Sequence, residues 1–218
     1  LLPTAKDYKR IGEGDTGLNT GGMGALSPAP VADESFMQKV KEKIIDRTLS
    51  GLQKDKIEFE GFLFIGLMRV GDEPFVIEYN VRMGDPETEA VLPRIDSDLL
   101  EHMKAVGEGS LSQQELKITE KRSCTVMMVS GGYPQAYEKG KKITGTDNVD
   151  GSSILFHAGT QMEGDELVTH GGRVLTMTAV AENLESALQQ AYRNLQQIDF
   201  EGKYFRKDIG YELNEVVR

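Results

Sequence analysis

One cysteine and three histidines in 218 residues leave this sequence little of the chemistry that builds covalent or metal frameworks. Cys124 has no internal disulfide partner, and one thiol with scattered histidines makes no zinc cage, so the chain reads as a protein of a reducing, cytoplasmic compartment. Basic residues are in deficit: 25 Lys and Arg face 35 Asp and Glu, a net charge of −10. The average field of such a chain repels a polyanion, and nucleic acid is not an expected partner. Long apolar runs are missing as well. The longest, Phe62 to Met68, is interrupted by Gly66 and falls far short of the ~20 residues that span a bilayer, so no membrane is expected. Leu1 to Asp7 carry neither a basic segment nor a small-residue cleavage site, which argues against a signal peptide. They also lack an initiator methionine, and a chain that opens in mid-phrase is expected to be part of something longer.

What is present suffices for a core: hydrophobic residues make up 39%, with 24 glycines beside them. The glycine and proline density of residues 1–32 forbids a long helix there and predicts a strand near Tyr8 followed by an ordered loop. From an N-cap at Asp33, apolar positions Phe36, Val40, Ile44, Thr48 and Leu52 fall at helical spacing. Phe59 to Val70 and Phe75 to Arg82, joined through Gly71-Asp72-Glu73-Pro74, predict an antiparallel hairpin of two interior strands. A short helix is expected after Pro86, and another from Asp98, where Glu101 completes a capping-box spacing. The polar stretch Ser110 to Arg122 reads as a linker. Beyond it, strands at Cys124–Val129, Ile154–His157 and Val174–Ala181 and a closing helix through Leu184, Leu188, Ala191, Leu195 and Ile198 form a second, smaller unit. The fold class is therefore α+β, divided into 1–119 and 120–218.

Chemistry concentrates in one strand. With period two, Phe75, Ile77, Tyr79 and Val81 share an apolar face while Glu78, Asn80 and Arg82 line up on the other. Two readings stand side by side: a Glu78–Arg82 ion pair on a solvated face, or a hard-cation site in which oxygen donors and phosphate share Mg²⁺ and the arginine neutralises the same phosphate. Gly84-Asp85-Pro86-Glu87-Thr88 follows at once and adds a glycine, two acids and a chain-turning proline, which favours the second reading. Asn19-Thr20-Gly21-Gly22-Met23-Gly24 matches neither the Walker nor the dinucleotide pattern; its glycines allow close backbone approach to an oxyanion or form a plain turn. Asp7, Lys9 and Arg10 add charge just before it. His102 and His170 read as structural or exposed, His157 as a core histidine, and Cys124 as a small buried hydrophobe. No serine or cysteine triad spacing emerges.

Taken together, Lys6-Asp7-Tyr8-Lys9-Arg10, Asp15 to Ala25, Ile77 to Arg82, Gly84 to Thr88, Gly131-Gly132-Tyr133-Pro134, Phe156 to Thr160, Gly171 to Leu175 and Arg206 to Gly210 resemble the phosphoribosylamine–glycine ligase family of the ATP-grasp superfamily. The resemblance covers nearly the whole chain but only half of the family's length. It implies the C-terminal part of an ATP-grasp core, a mainly antiparallel sheet with helices, followed by a small α+β C-terminal domain, with the N-terminal half of the same enzyme as the missing partner. It implies ATP, glycine and 5-phosphoribosylamine as substrates, joined through glycyl phosphate in purine biosynthesis, and Mg²⁺ or Mn²⁺ as cofactor. By the same resemblance Glu78 and Asn80 hold the metal, and Arg82 and Asp85 are catalytic. Asp7, Lys9, Asn19, Thr20, Gly21, Gly22, Gly24, Gly84 and Glu87 then bind substrate. Leu18 departs from the family's usual proline, and Gly66 stands where many ATP-grasp enzymes place a second acid. The alternatives are another ATP-grasp carboxylate–amine ligase and a non-catalytic interaction module.

Overall fold

The computed structural model describes residues 1–214. In chain order it runs β1 (Lys6–Asp7), β2 (Arg10–Gly12), β3 (Thr16–Asn19), β4 (Gly24–Ser27), α1 (Glu34–Val40), α2 (Asp46–Lys54), β5 (Phe64–Val70), β6 (Glu73–Asn80), α3 (Glu87–Val91) and α4 (Leu99–Gly107). It continues with β7 (Arg122–Val129), β8 (Ser153–His157), β9 (Thr160–Glu163), β10 (Glu166–Thr169), β11 (Arg173–Ala181) and α5 (Leu184–Leu195). Helices and mainly antiparallel strands make this an α+β fold, and no helix among the described residues is long and apolar enough to cross a membrane.

Two compact units emerge among the described residues, 1–28, 85–94 and 118–214 in the first and 29–84 with 95–117 in the second. This differs from the linear cut at 119/120 suggested by composition. The reason is pairing across the chain: β4 lies beside β7, with Ala25 opposite Thr125 and Leu26 opposite Cys124.

The first unit is organised by a five-stranded antiparallel sheet in the order β1–β4–β7–β11–β8. β7 alternates between its two faces. Cys124, Val126 and Met128 join the main core with Ala187, Ala191 and Leu195 of α5, whereas Met127 and Val129 pack with Met23 in a smaller cluster. Alanines on the inner stripe of α5 let the helix lie close to the sheet, and Asn183 caps it by accepting from Ser186 N at 2.8 Å. Burial pushes the Cys124 thiol up to about 12, as suits an inert core residue. Arg206, 0% exposed, donates to Asp15 Oδ1 at 2.6 Å and through two nitrogens to Asp208 at 2.7 and 2.8 Å. Asp208 also accepts from Gly14 N at 2.7 Å, and Tyr204 Oη donates to Ile11 O at 2.9 Å, so the β2–β3 ribbon is tied down at several points. His157, expected in the core, is exposed and bonded to Thr160 Oγ1 at 2.9 Å, because β8 is an edge strand of the sheet.

In the second unit Asp33 caps α1 by accepting from Phe36 N at 2.8 Å, and Asp98 caps α4 by accepting from Leu100 N at 2.8 Å. Between α1 and α2, residues Lys41–Ile45 form a π-helical turn closed by the bond from Asp46 N to Lys41 O. Phe36, Val40 and Ile44 are buried before and within that turn, but α2 buries no residue. His102 is buried and shares a 2.7 Å hydrogen bond with Ser97 Oγ, a structural role. The hairpin exists, with its first strand shortened to Phe64–Val70, but its strands are not interior: β5 and β6 form a two-stranded sheet. Phe75, Ile77, Tyr79 and Val81 are all exposed. A register shift between Gly66 and Leu67, which pair with Glu78 and Val76, leaves Ile77 as an extra residue in β6.

Candidate functional site

The predicted site residues fall into both units. Asp7, Lys9, Asn19, Thr20, Gly21, Gly22, Gly24, Asp85 and Glu87 belong to the first; Glu78, Asn80, Arg82 and Gly84 belong to the second.

In the first unit the loop after β3 is anchored by its own polar groups. Thr20 N and Thr20 Oγ1 both donate to Lys9 O at 2.8 Å, and Gly22 N donates back to Thr20 Oγ1 at 2.9 Å. The glycines are demanded by contacts inside the protein. At Gly22, where φ is +126°, a Cβ would lie 2.3 Å from Pro86 Cδ and 2.8 Å from Asp7 Oδ1; at Gly24 it would lie 2.6 Å from Thr125 O. The loop thus fits directly against the Asp85-Pro86-Glu87 turn. Two residues that spacing did not single out complete the fit. Arg173 Nη1 donates to Gly21 O at 3.0 Å and to Asp85 O at 2.9 Å, and its Nη2 pairs with Asp85 Oδ2 at 3.0 Å. Tyr133 Oη accepts from Gly21 N at 3.0 Å. Both lie in glycine phrases more than a hundred residues further along, and only the glycine-rich setting of Gly132 and Gly172 marks them in sequence. Gly172 is where a Cβ would meet the Tyr133 ring at 2.3 Å.

Two carboxylates in this part of the first unit are withdrawn from water. Asp7 pairs with Lys9, yet burial, and next the Glu87 carboxylate, raise its pKa from the ordinary 3.8 to about 6. Its Oδ1 is buried without a hydrogen-bond partner, as is Oε2 of Glu89. Burial raises Glu89 too, with Asp85 and Glu87 acting in the same direction. A site that holds carboxylates against desolvation is suited to a cationic or amine-bearing ligand.

In the second unit Glu78 and Asn80 stand two residues apart on one face of β6, opposite Gly66 and Phe64. Gly66 is where a Cβ would lie 2.9 Å from Glu78 Cγ, so the glycine leaves room for the glutamate side chain. Arg82 lies beyond the strand, exposed, and donates to Met83 O at 3.0 Å. Glu78 is exposed like Arg82, and among the described residues no ion pair joins the two. Asn80 Nδ2 is buried without a partner. A carboxylate and an amide oxygen on one strand face are hard donors of the kind Mg²⁺ or Mn²⁺ accepts, and the unpartnered amide N–H suits a phosphate oxygen beside it. No group of three or more His, Cys, Asp or Glu forms a cage among the described residues. The donor set therefore fits a cation shared with a phosphate ligand.

Residues 1–88 match the family model for the phosphoribosylglycinamide synthetase ATP-grasp (A) domain, and residues 123–212 match that for its C domain. The chain is 50% identical over 212 residues to a phosphoribosylamine–glycine ligase of Chlorobaculum tepidum, covering 96% of this chain and 50% of that protein. It is 42% identical over 212 residues to the human trifunctional purine biosynthetic protein adenosine-3, covering 96% of this chain and 21% of that one. The crystal structure of a phosphoribosylamine–glycine ligase from Thermotoga maritima superposes with a TM-score of 0.83 at 37% identity, over 95% of this chain and 51% of that one. The chain spans about half the length of the single-function relatives it matches.

Proposed function

The chain belongs to the phosphoribosylglycinamide synthetase family, and from that premise we propose that the enzyme containing it joins glycine to 5-phosphoribosylamine at the expense of ATP. The products are glycinamide ribonucleotide, ADP and phosphate. A glycine carboxylate oxygen attacks the γ-phosphorus and ADP leaves; the amine nitrogen then attacks the acyl carbon of glycyl phosphate, loses a proton and expels phosphate. No protein nucleophile enters, so catalysis consists of positioning and charge neutralisation.

Glu78 and Asn80 hold Mg²⁺ or Mn²⁺, which supplies positive charge to the ATP phosphates. Arg82 places a guanidinium where the transferred phosphoryl group carries its charge. Asp85 and Glu87, with Asp7, Lys9 and the Asn19–Gly24 loop, form the side that receives glycine and the phosphorylated amine. The remaining half of the enzyme supplies the adenine pocket and the ATP lid. The apolar side chains that the β5–β6 hairpin leaves exposed, among them Met68, Val70 and Ile77, are consistent with such a covering partner. The workplace is the cytoplasm.

The observation that carries this reading is the Glu78–Asn80 pair, two hard donors with an orphaned amide on one strand face, inside the segment that matches an ATP-grasp domain. Glu78→Gln in the full-length enzyme tests it by removing the anionic donor while keeping size and hydrogen bonding. A loss of ~3–4 kcal/mol of transition-state stabilisation, about 10²–10³ in kcat, is expected. ADP release measured with ATP, Mg²⁺, glycine and fresh phosphoribosylamine reads it, with the 218-residue chain alone at background. A Gln variant with near-normal rate and unchanged Mg²⁺ dependence removes the metal assignment.

A further inference from the structure

Of the charged residues outside the predicted set, Arg173 has the most unusual partners. It opens β11, at a register shift against β7, and its guanidinium leaves the strand to reach two segments 152 and 88 residues away in sequence. It donates to one carbonyl on each segment and pairs with the Asp85 carboxylate, at 2.9 to 3.0 Å throughout. Gly21 is pressed so closely on it that a Cβ there would lie 2.9 Å from the guanidinium carbon. A planar fork holds its several donors in fixed directions and can serve two carbonyls and a carboxylate at once, whereas the three donors of an ammonium turn on a flexible stem. Meanwhile Asn19, Gly21 and Asp85 remain exposed. The arginine therefore ties together two segments whose exposed residues stay open to a ligand.

We propose that Arg173 is a positioning residue, which locks the Asn19–Gly24 loop to the Asp85 turn as one rigid surface for the substrates on the acceptor side, glycine and the phosphorylated amine. This rests on the reading under Proposed function. Arg173 touches no reacting atom; it acts by raising the fraction of molecules whose loop is ready to bind. A ligand that needs a conformation held only part of the time binds more weakly by that fraction.

Arg173→Met, Arg173→Gln and Arg173→Lys in the full-length enzyme test this, with steady-state kinetics and with amide hydrogen exchange at residues 19–24. In the Met variant the expected result is a KM for glycine or phosphoribosylamine raised at least 10-fold, a KM for ATP within 2-fold of the parent, and faster exchange confined to the loop. Gln, which keeps one amide donor, should fall between Met and the parent, and Lys should recover part of the loss. If the Met variant fails to fold, the Gln and Lys variants carry the same comparison. Equal rises in all three KM values, or faster loop exchange with every KM unchanged, would make the contact structural only and overturn the proposal. A parent enzyme that does not consume glycine would overturn the functional reading instead, while loop exchange in the variants still reports whether the lock exists.

Discussion

The strands β7 and β6 look alike in composition, both rich in branched and apolar residues, yet they end in opposite environments. From Ser123 to Val129 every residue of β7 is buried, because β4 and β11 flank it and α5 covers one face of its sheet. Phe75 to Tyr79 of β6 are all exposed, with one partner strand in a two-stranded sheet. Apolar composition marks a strand as able to be buried; how many neighbours it finds decides whether it is. A two-stranded ribbon is marginal on its own in water, whereas the five-stranded sheet holds a core of its own. The fold and the proposed chemistry thus rest on different supports, the core on β7 and the metal donors on β6.

The sharpest way to break this contrast is through one arginine in each unit. Arg206→Met leaves Asp15 and Asp208 without their buried partner, and a loss of about 3–5 kcal/mol is expected from urea or thermal unfolding. Arg69→Met removes the pairs with Asp33 and Asp72, which lie at the surface, and should cost about 0–1 kcal/mol. Similar costs for the two would show that the units do not differ in how they hold charge.

A smaller effect comes from Asp7. Its folded pKa of about 6 exceeds the ordinary 3.8, so between those values the unfolded chain releases a proton that the folded chain keeps, and stability falls as pH rises. The penalty is absent below about pH 4 and complete above about pH 6. Asp7→Asn, which does not titrate, should match the parent at low pH and exceed it by on the order of 2–3 kcal/mol at pH 7.5. Parallel stability curves from urea titrations at the two pH values would contradict the burial of that carboxylate.

Smallest of all is the expected cost of Val81→Ser, at a residue 73% exposed. In the isolated chain it should stay within about ±0.5 kcal/mol by urea unfolding, the usual range for surface changes. A clear loss would mean that Val81 is already covered in the chain itself.

What the sequence disclosed follows the range of the forces involved. Helix caps at Asp33 and Asp98, the amphipathic stripe of α5 and the run that became β7 are encoded within a few residues, and they are found where the pattern puts them. The pairing of Leu26 with Cys124 spans about a hundred residues, and no local periodicity reports it. Exposure at His157 and along β6 depended on how many strands would arrive beside them. At the site, the charged residues were visible as motifs, but the Arg173 and Tyr133 bonds to Gly21 were not, since their spacing in sequence has no helical or strand meaning. Nor could the motif say that Gly22 is small to admit Pro86 and Asp7 as well as to shape a loop.

The π-helical turn at Lys41–Ile45 can be understood as an inserted residue that the helix absorbed instead of expelling into a loop. A bond from i to i−5 takes up one residue more than the regular ladder, so everything downstream turns by about 100° around the axis. The stripe that buries Phe36, Val40 and Ile44 is steered away after residue 45, which accounts for Leu49 standing half in water. The same rotation presents Thr48, whose hydroxyl donates to Ile44 O at 2.8 Å and meets Tyr79 Oη at 2.9 Å, to the strand that carries Glu78 and Asn80. One surplus residue in a helix has thereby given α2 a contact with β6, beside those that Lys39 and Lys43 make with Glu73.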